Sequence, residues 1–265
     1  MRAMPIRVYT GKQGRVQMKA SWRKNWQHYL QESLGLGLFM ISACFFSALL
    51  EAKTSVIHSA IPDPFTRLLI TGLLMGLTAL FIFYSPYTSP SGSHINPAVT
   101  LTFLRLQKIC PWDALFFIIF QVSGGIVAVW IMQLLMGPLL TDPPVNSVVT
   151  VPGTAGRTWA LLTEFMIAFI TMSIVLFTSS HTRLKKYSRI ISACLVSSWV
   201  IIAGPVSGFG MNPARSLASA VAANIWTAGW IYLLIPFAGM LIAAECFLLL
   251  KRRNMYQNID HPLYS

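Results

Sequence analysis

Residues 94–100 read His94-Ile95-Asn96-Pro97-Ala98-Val99-Thr100, and residues 210–216 read Gly210-Met211-Asn212-Pro213-Ala214-Arg215-Ser216. Both carry Asn-Pro-Ala, with the two asparagines 116 positions apart. Asn is a preferred helix cap and Pro suits the first helical position, so each triplet reads as a helix start. The apolar stretches that follow, about 97–106 and 213–223, reach only about 15 Å at the α-helical rise. That is half of a roughly 30 Å hydrocarbon core. Before them stand Ser89-Pro90-Ser91-Gly92-Ser93-His94 and Gly204-Pro205-Val206-Ser207-Gly208, whose breakers predict irregular backbone. Such backbone is tolerated at membrane depth only where it is buried in protein or lines a water-filled cavity. The two segments predict a lumen.

The rest of the chain supplies the membrane. Of 265 residues, 55% are hydrophobic and 11% charged, with mean hydropathy +0.61. Soluble domains carry about 25% charged residues, so this composition excludes a water-facing surface and predicts a multi-pass membrane protein. Six long apolar segments cover about 33–50, 68–84, 114–135, 159–178, 190–204 and 226–250. All but the segment at 190–204 are long enough to cross. That one is short, ends at Gly204-Pro205, and is expected to borrow 186–189 as a snorkelling first turn.

Six crossings put both termini on one side. Sixteen of the 20 Lys and Arg fall on that side: seven up to Lys24, then Arg105, Lys108, Arg183, Lys185, Lys186, Arg189 and Lys251 to Arg253. The opposite side keeps Lys53, Arg67 and Arg157. The positive-inside rule makes the termini cytoplasmic. The net charge of +12 then reads as a topology signal, with no nucleic-acid partner. The first 31 residues lack acids and also fit a transit peptide, but they have no apolar core or cleavage site of a secretory signal. The expected division is a basic cytoplasmic tail over 1–31, a first repeat over 32–140, an external connecting loop over 141–157, a second repeat over 158–252 and a cytoplasmic tail over 253–265.

The halves are duplicated. Gln121-x-x-Gly124-x-x-x-Ala128 and Pro236-x-x-Gly239-x-x-x-Ala243 repeat at an offset of 115, and Glu32 and Glu164 each stand near the head of a half. Three crossings per half force the halves to be inverted, as in some transporters. The expected fold class is all-α integral membrane, with six transmembrane helices and two re-entrant half-helices. Gly124, Gly125, Gly239 and Ala243 permit close helix crossing, and Glu245 reads as an interfacial charge near Lys251. Two half-helix N-termini meeting at the midplane give a positive field. There the Asn96 and Asn212 amides can donate to a passing oxygen while cations and protons are repelled. Arg215, a charge at membrane depth, marks a functional site by default. Cys44, Cys110, Cys194 and Cys246 form no Cys-x-x-Cys pair, and His94 has no second His or Cys beside it. No disulfide, metal or cofactor is expected. No catalytic triad, phosphate loop or paired catalytic carboxylates can be assembled, so no enzyme is expected.

These paired boxes resemble those of the aquaporin, or major intrinsic protein, family, and the resemblance covers about residues 30–252. It implies a channel whose pore residues are Asn96, Pro97 and Ala98 with Asn212, Pro213 and Ala214. Arg215 would line the outer aromatic/arginine filter, with Phe209 and Val200 as further members. The fourth member falls at Met75 or its neighbour Gly76. Glu32 and Glu164 would hold the re-entrant loops, and His94 would fix the first. Phe209 is the type found in glycerol-conducting members, and Val200 replaces a histidine typical of water-selective ones. Ser216 and Ala220 instead resemble water channels. The resemblance also implies a homotetramer in a plasma or bacterial inner membrane.

The resulting reading is a passive channel for water and small uncharged solutes. The alternative is a glycerol, urea, ammonia or peroxide conduit with water secondary. Outside the channel class stand an inverted-repeat secondary transporter, with Glu164 binding a coupling ion, and a closed structural membrane protein.

Overall fold

In the computed structural model the described residues are 11–259, with side chains described over 13–252. Among them the helices, in chain order, are α1 (Gly11–Glu51), α2 (Val56–Ala60), α3 (Pro64–Tyr84), α4 (Pro97–Arg105), α5 (Pro111–Met136), α6 (Pro138–Thr141), α7 (Arg157–Ser180), α8 (Ser188–Ser207), α9 (Pro213–Ala223) and α10 (Gly229–Ile259). Six of them contain stretches long and apolar enough to cross a membrane. The half-helices α4 and α9 begin at Pro97 and Pro213, directly after their asparagine caps.

Two expectations need correction. The segment expected as a tail up to residue 31 is helical from Gly11, and α1 runs on without a break into the membrane. Residues 1–10 lie outside the described residues. This extension is seated by α5. Trp22 meets Phe116 edge-on with ring centroids 5.3 Å apart, and Asn25 donates to Asp113 at 3.0 Å. The hydroxyl of the fully buried Tyr29 reaches the same carboxylate at 2.6 Å.

The helix expected to stop at Gly204-Pro205 instead continues to Ser207, and with its preceding turn the crossing spans Lys185–Ser207. Pro205 removes one N–H from the last turn, the donor that the Ile201 carbonyl would otherwise have. The helix closes on Gly208, left-handed at φ 79°, whose N–H bonds the Gly204 carbonyl at 2.8 Å. The freed Val206 carbonyl is taken by the Gly153 N–H at 3.0 Å.

The repeats are intertwined. Within each half the first and third long helices pair, α1 with α5 and α7 with α10, while α3 and α8 join the halves. Each half-helix lies mainly against the other half: α4 packs more on α10 than on α5, and α9 more on α5 than on α10. The close crossings occur at the repeated glycines. A Cβ on Gly124 would stand 2.3 Å from the Ser33 carbonyl oxygen, and one on Gly239 would stand 2.7 Å from that of Phe165.

Candidate functional site

The site begins where the two half-helices meet. Asn96 Oδ1 accepts from the Ala98 N–H at 2.8 Å, and Asn212 Oδ1 accepts from Ala214 at 3.1 Å and Arg215 at 3.3 Å. Each amide nitrogen then crosses to the opposite loop. Asn96 Nδ2 donates to the Met211 carbonyl at 3.2 Å, and Asn212 Nδ2 donates to the Ile95 carbonyl at 2.6 Å. The sequence suggested amides free to serve the lumen. Here one hydrogen of each ties the halves together, and a primary amide has one more to give. Both asparagines line a cavity of about 240 Å³.

Two buried carboxylates hold the loops that deliver these asparagines. Glu32 accepts from four donors. Its Oε1 takes the Ser91 hydroxyl at 2.6 Å and the His94 N–H at 2.9 Å, and its Oε2 takes the Ile95 N–H at 2.6 Å and the Gln121 amide at 2.7 Å. This pins Ile95 at φ 40°, a backbone region that β-branched residues avoid. Glu164 serves the second loop with one oxygen only. Its Oε1 accepts from the Ser207 hydroxyl at 2.7 Å and the Gly210 N–H at 2.8 Å, while Oε2 has no partner. The asymmetry follows from the repeat, because Pro236 stands where the first half has the donor Gln121.

A second cavity, of about 400 Å³, lies on the side of the Glu51 end of α1. Phe39, Phe209 and Arg215 line both cavities, so the two meet at these three side chains. Val200 and Met75 line the second cavity. Gly76 instead faces α8, where a Cβ would lie 2.7 Å from that of Ser197. Of the two candidates on α3, Met75 is the one at the lumen. Phe209 is held at φ 53°, and the Arg215 guanidinium donates to the hydroxyl of Thr150. Phe39 and Thr150 escaped sequence reading. Phe39 is one apolar residue among many on α1, and Thr150 sits in a connecting loop with no motif around it.

His94 is buried beside the first box. Its Nδ1 lies 3.2 Å from the Thr100 hydroxyl of α4, and its ring packs on Phe103 and Phe117. Two charges that the sequence placed near the membrane faces, Arg67 and Glu245, are paired. Arg67 is buried, contacts Glu51 at 3.4 Å, and donates to the Ile61 and Pro62 carbonyls. Glu245 does not pair with Lys251. It grips Arg105, at the end of α4, through two contacts of 2.6 and 2.8 Å.

Residues 19–247 match the model of the major intrinsic protein family. "Aquaporin NIP6-1" of Arabidopsis thaliana is 35% identical over 163 residues, 61% of this chain and 51% of that protein. "Aquaporin NIP1-2" of the same plant is 31% identical over 198 residues, 72% of this chain and 64% of that protein. The chain thus spans about half to two thirds of the length of these relatives. Among solved structures, the aquaglyceroporin from Plasmodium falciparum superposes with a TM-score of 0.67 at 18% identity, covering 83% of this chain and 93% of that one. At that identity the likeness speaks for the fold. With paired Asn-Pro-Ala half-helices, two supporting glutamates and a family match across most of its length, the chain belongs to the major intrinsic protein family.

Proposed function

We propose that the chain is a passive pore for water and small uncharged solutes, selective at two levels and without a chemical step. The observation that carries this reading is the meeting of the two cavities at Phe39, Phe209 and Arg215. A path narrowed there must pass a fixed guanidinium and then the Asn96/Asn212 pair at the N-termini of α4 and α9. Both levels disfavour cations, through a charge at the first and two helix dipoles at the second. Neutral hydrogen-bonding molecules lose little. Glu32 and Glu164 act as loop supports on this reading, since each accepts from a backbone N–H and a serine hydroxyl of its loop and neither lines either cavity.

A second reading, a polyol-type conduit with water secondary, is favoured by one observation. Val200, Met75, Phe209 and Phe39 make the lining beside Arg215 largely apolar, which suits a solute with a C–H face and a hydroxyl edge. The basic excess on the Arg189 side supports placing both termini in the cytoplasm. Family membership supports a homotetramer in a plasma or bacterial inner membrane, which chemical crosslinking would count directly.

The test is stopped-flow light scattering on proteoliposomes given a hyperosmotic glycerol step. Fast shrinkage with slow reswelling supports the water pore, and fast reswelling supports the polyol reading. Traces matching empty liposomes would reject both. Arg215→Ala with Phe209→Ala should widen the solute range, and unchanged glycerol and urea permeability in that variant would remove both residues from the filter.

A further inference from the structure

Arg215 is held by a group that needs holding itself. Its guanidinium donates to Thr150, whose Oγ1 lies 3.3 Å from Ser216 Oγ, and Ser216 donates onward to the Gly210 carbonyl at 3.1 Å. Thr150 belongs to the loop between α6 and α7, so its position depends on what it touches. The Tyr232 ring converges on the same spot from α10. A Cβ built on Gly210 would meet Tyr232 Cδ1 at 2.4 Å, the Thr150 methyl at 2.9 Å and Ser216 Oγ at 3.1 Å. Only Gly at position 210 admits this convergence. Tyr232 is 1% exposed, yet its hydroxyl has no hydrogen-bond partner in the protein.

A buried hydroxyl without a partner carries a full desolvation penalty. A phenylalanine would fill the same space without that cost. Beside Tyr232 lies a cavity of about 10 Å³, lined by Thr150, Ser216 and Tyr232 together with Ala220, Trp226 and Leu233. That is close to the least volume that admits one water molecule, and a buried water requires two to four polar partners. Tyr232 can donate its O–H to such a water, and the Thr150 and Ser216 oxygens each keep a lone pair to accept from it, since their own hydrogens go to Ser216 and to the Gly210 carbonyl.

We propose that this cavity binds a single structural water that bridges the Tyr232 hydroxyl to the Thr150–Ser216 pair, making Tyr232 a positioning residue for Arg215. The inference rests on the filter reading of Arg215. The water closes a chain from Tyr232 through Thr150 to the guanidinium, and so keeps the cation pointed across the junction of the two cavities. Its lining shares no residue with either of the two larger cavities, so its occupant is resident rather than in transit.

Two measurements on the full-length protein in lipid test this. The first is the thermal midpoint of Tyr232→Phe. If the hydroxyl is dry, the variant sheds an unsatisfied group and its midpoint rises; if water bridges it, the midpoint falls or stays level. The second is the glycerol-to-water permeability ratio of the same vesicles, compared with Thr150→Val and Arg215→Ala. A ratio raised about fivefold in Tyr232→Phe, equivalent to one net hydrogen bond, and also raised in Thr150→Val, supports the bridge. A raised midpoint, or a ratio changed in Thr150→Val but not in Tyr232→Phe, overturns it while leaving Arg215 in the filter. A ratio unchanged in Arg215→Ala overturns the filter reading itself. A high-resolution density map gives a direct view, and a peak within hydrogen-bond distance of Tyr232 and of either partner is the expected result.

Discussion

Glu32 and Glu164 occupy matching places in the two halves, yet substitution by glutamine should affect them very differently. Glutamine keeps the shape of glutamate and turns one acceptor oxygen into an NH2 donor. At Glu32 both oxygens are engaged by two donors each, from Ser91 and His94 on one side and Ile95 and Gln121 on the other. Whichever way the new amide faces, its NH2 confronts two donors. The Ser91 hydroxyl can turn to the Thr88 carbonyl, 2.9 Å away, and Gln121 can present its unpartnered Oε1, so one backbone N–H, of His94 or Ile95, loses its acceptor and Glu32→Gln should destabilise by about 1–3 kcal/mol beyond the lost charge assistance. At Glu164 the amide nitrogen can take the place of Oε2, which has no partner, and Oε1 goes on serving Ser207 and Gly210. The cost there reduces to the lost charge assistance, about 1 kcal/mol or less per bond. For chains of this size 1 kcal/mol moves the thermal midpoint by about 2–4 °C. Differential scanning fluorimetry in one detergent should therefore show a fall larger by about 2–12 °C for Glu32→Gln than for Glu164→Gln. Equal losses, or a larger loss at Glu164, would refute the donor count as the source of loop stability.

The remaining expectations are smaller in scope. Gly37→Ala and Gly124→Ala probe one helix contact from its two sides with opposite results. A Cβ on Gly37 meets nothing closer than 3.5 Å and should gain up to about 1 kcal/mol in helix propensity. One on Gly124 collides with the Ser33 backbone at 2.3 Å and should abolish a monodisperse peak in size-exclusion chromatography. Glu245→Gln should shift the midpoint by no more than about 1 kcal/mol equivalent, because the pair with Arg105 is partly exposed and such pairs are screened; a large loss would make the clasp essential. The pH arm concerns Asp63, the exposed cap of α3. Hydrogen bonds from the Thr66 hydroxyl and N–H hold its carboxyl below the ordinary value. Its contribution is therefore present above about pH 4 and is lost as pH falls through the lower folded value. Asp63→Asn should flatten the midpoint-versus-pH curve below pH 4, and an unchanged curve would place the acid sensitivity elsewhere.

What the sequence disclosed and what it hid differ by the range of the interactions involved. The half-helix starts at Asn96-Pro97 and Asn212-Pro213 were legible because a cap and a fixed φ act within two or three residues. The membrane helices were legible because hydropathy is summed over about 20 neighbours. The extension of α1 from Gly11 carries no such signal, since residues 11–31 are mixed and basic; its helix is stabilised by contacts with Phe116 and Asp113, some 90 positions away. Pro205 was read as a stop because a local rule was applied without the Gly153 N–H that takes up the adjoining carbonyl. Thr150 and Phe39 were invisible for the same reason: a loop threonine and a helical phenylalanine become site residues only through what folds against them. Glu245 was read only as an interfacial charge, because its partner Arg105 lies 140 positions away.

The seating of α4 on α10 bears on how such a chain can be made. The ribosome completes residues 97–105 long before residues 229–259 exist, so the first half-helix enters the bilayer without its main neighbour. Throughout that interval Glu32 can take the His94 and Ile95 N–H groups, but until residue 212 is made the Ile95 carbonyl lacks the Asn212 amide. Closure comes as a last step, when α10 arrives and the two asparagines exchange their hydrogen bonds. Premature termination anywhere before Gly229 would leave α4 without its main neighbour.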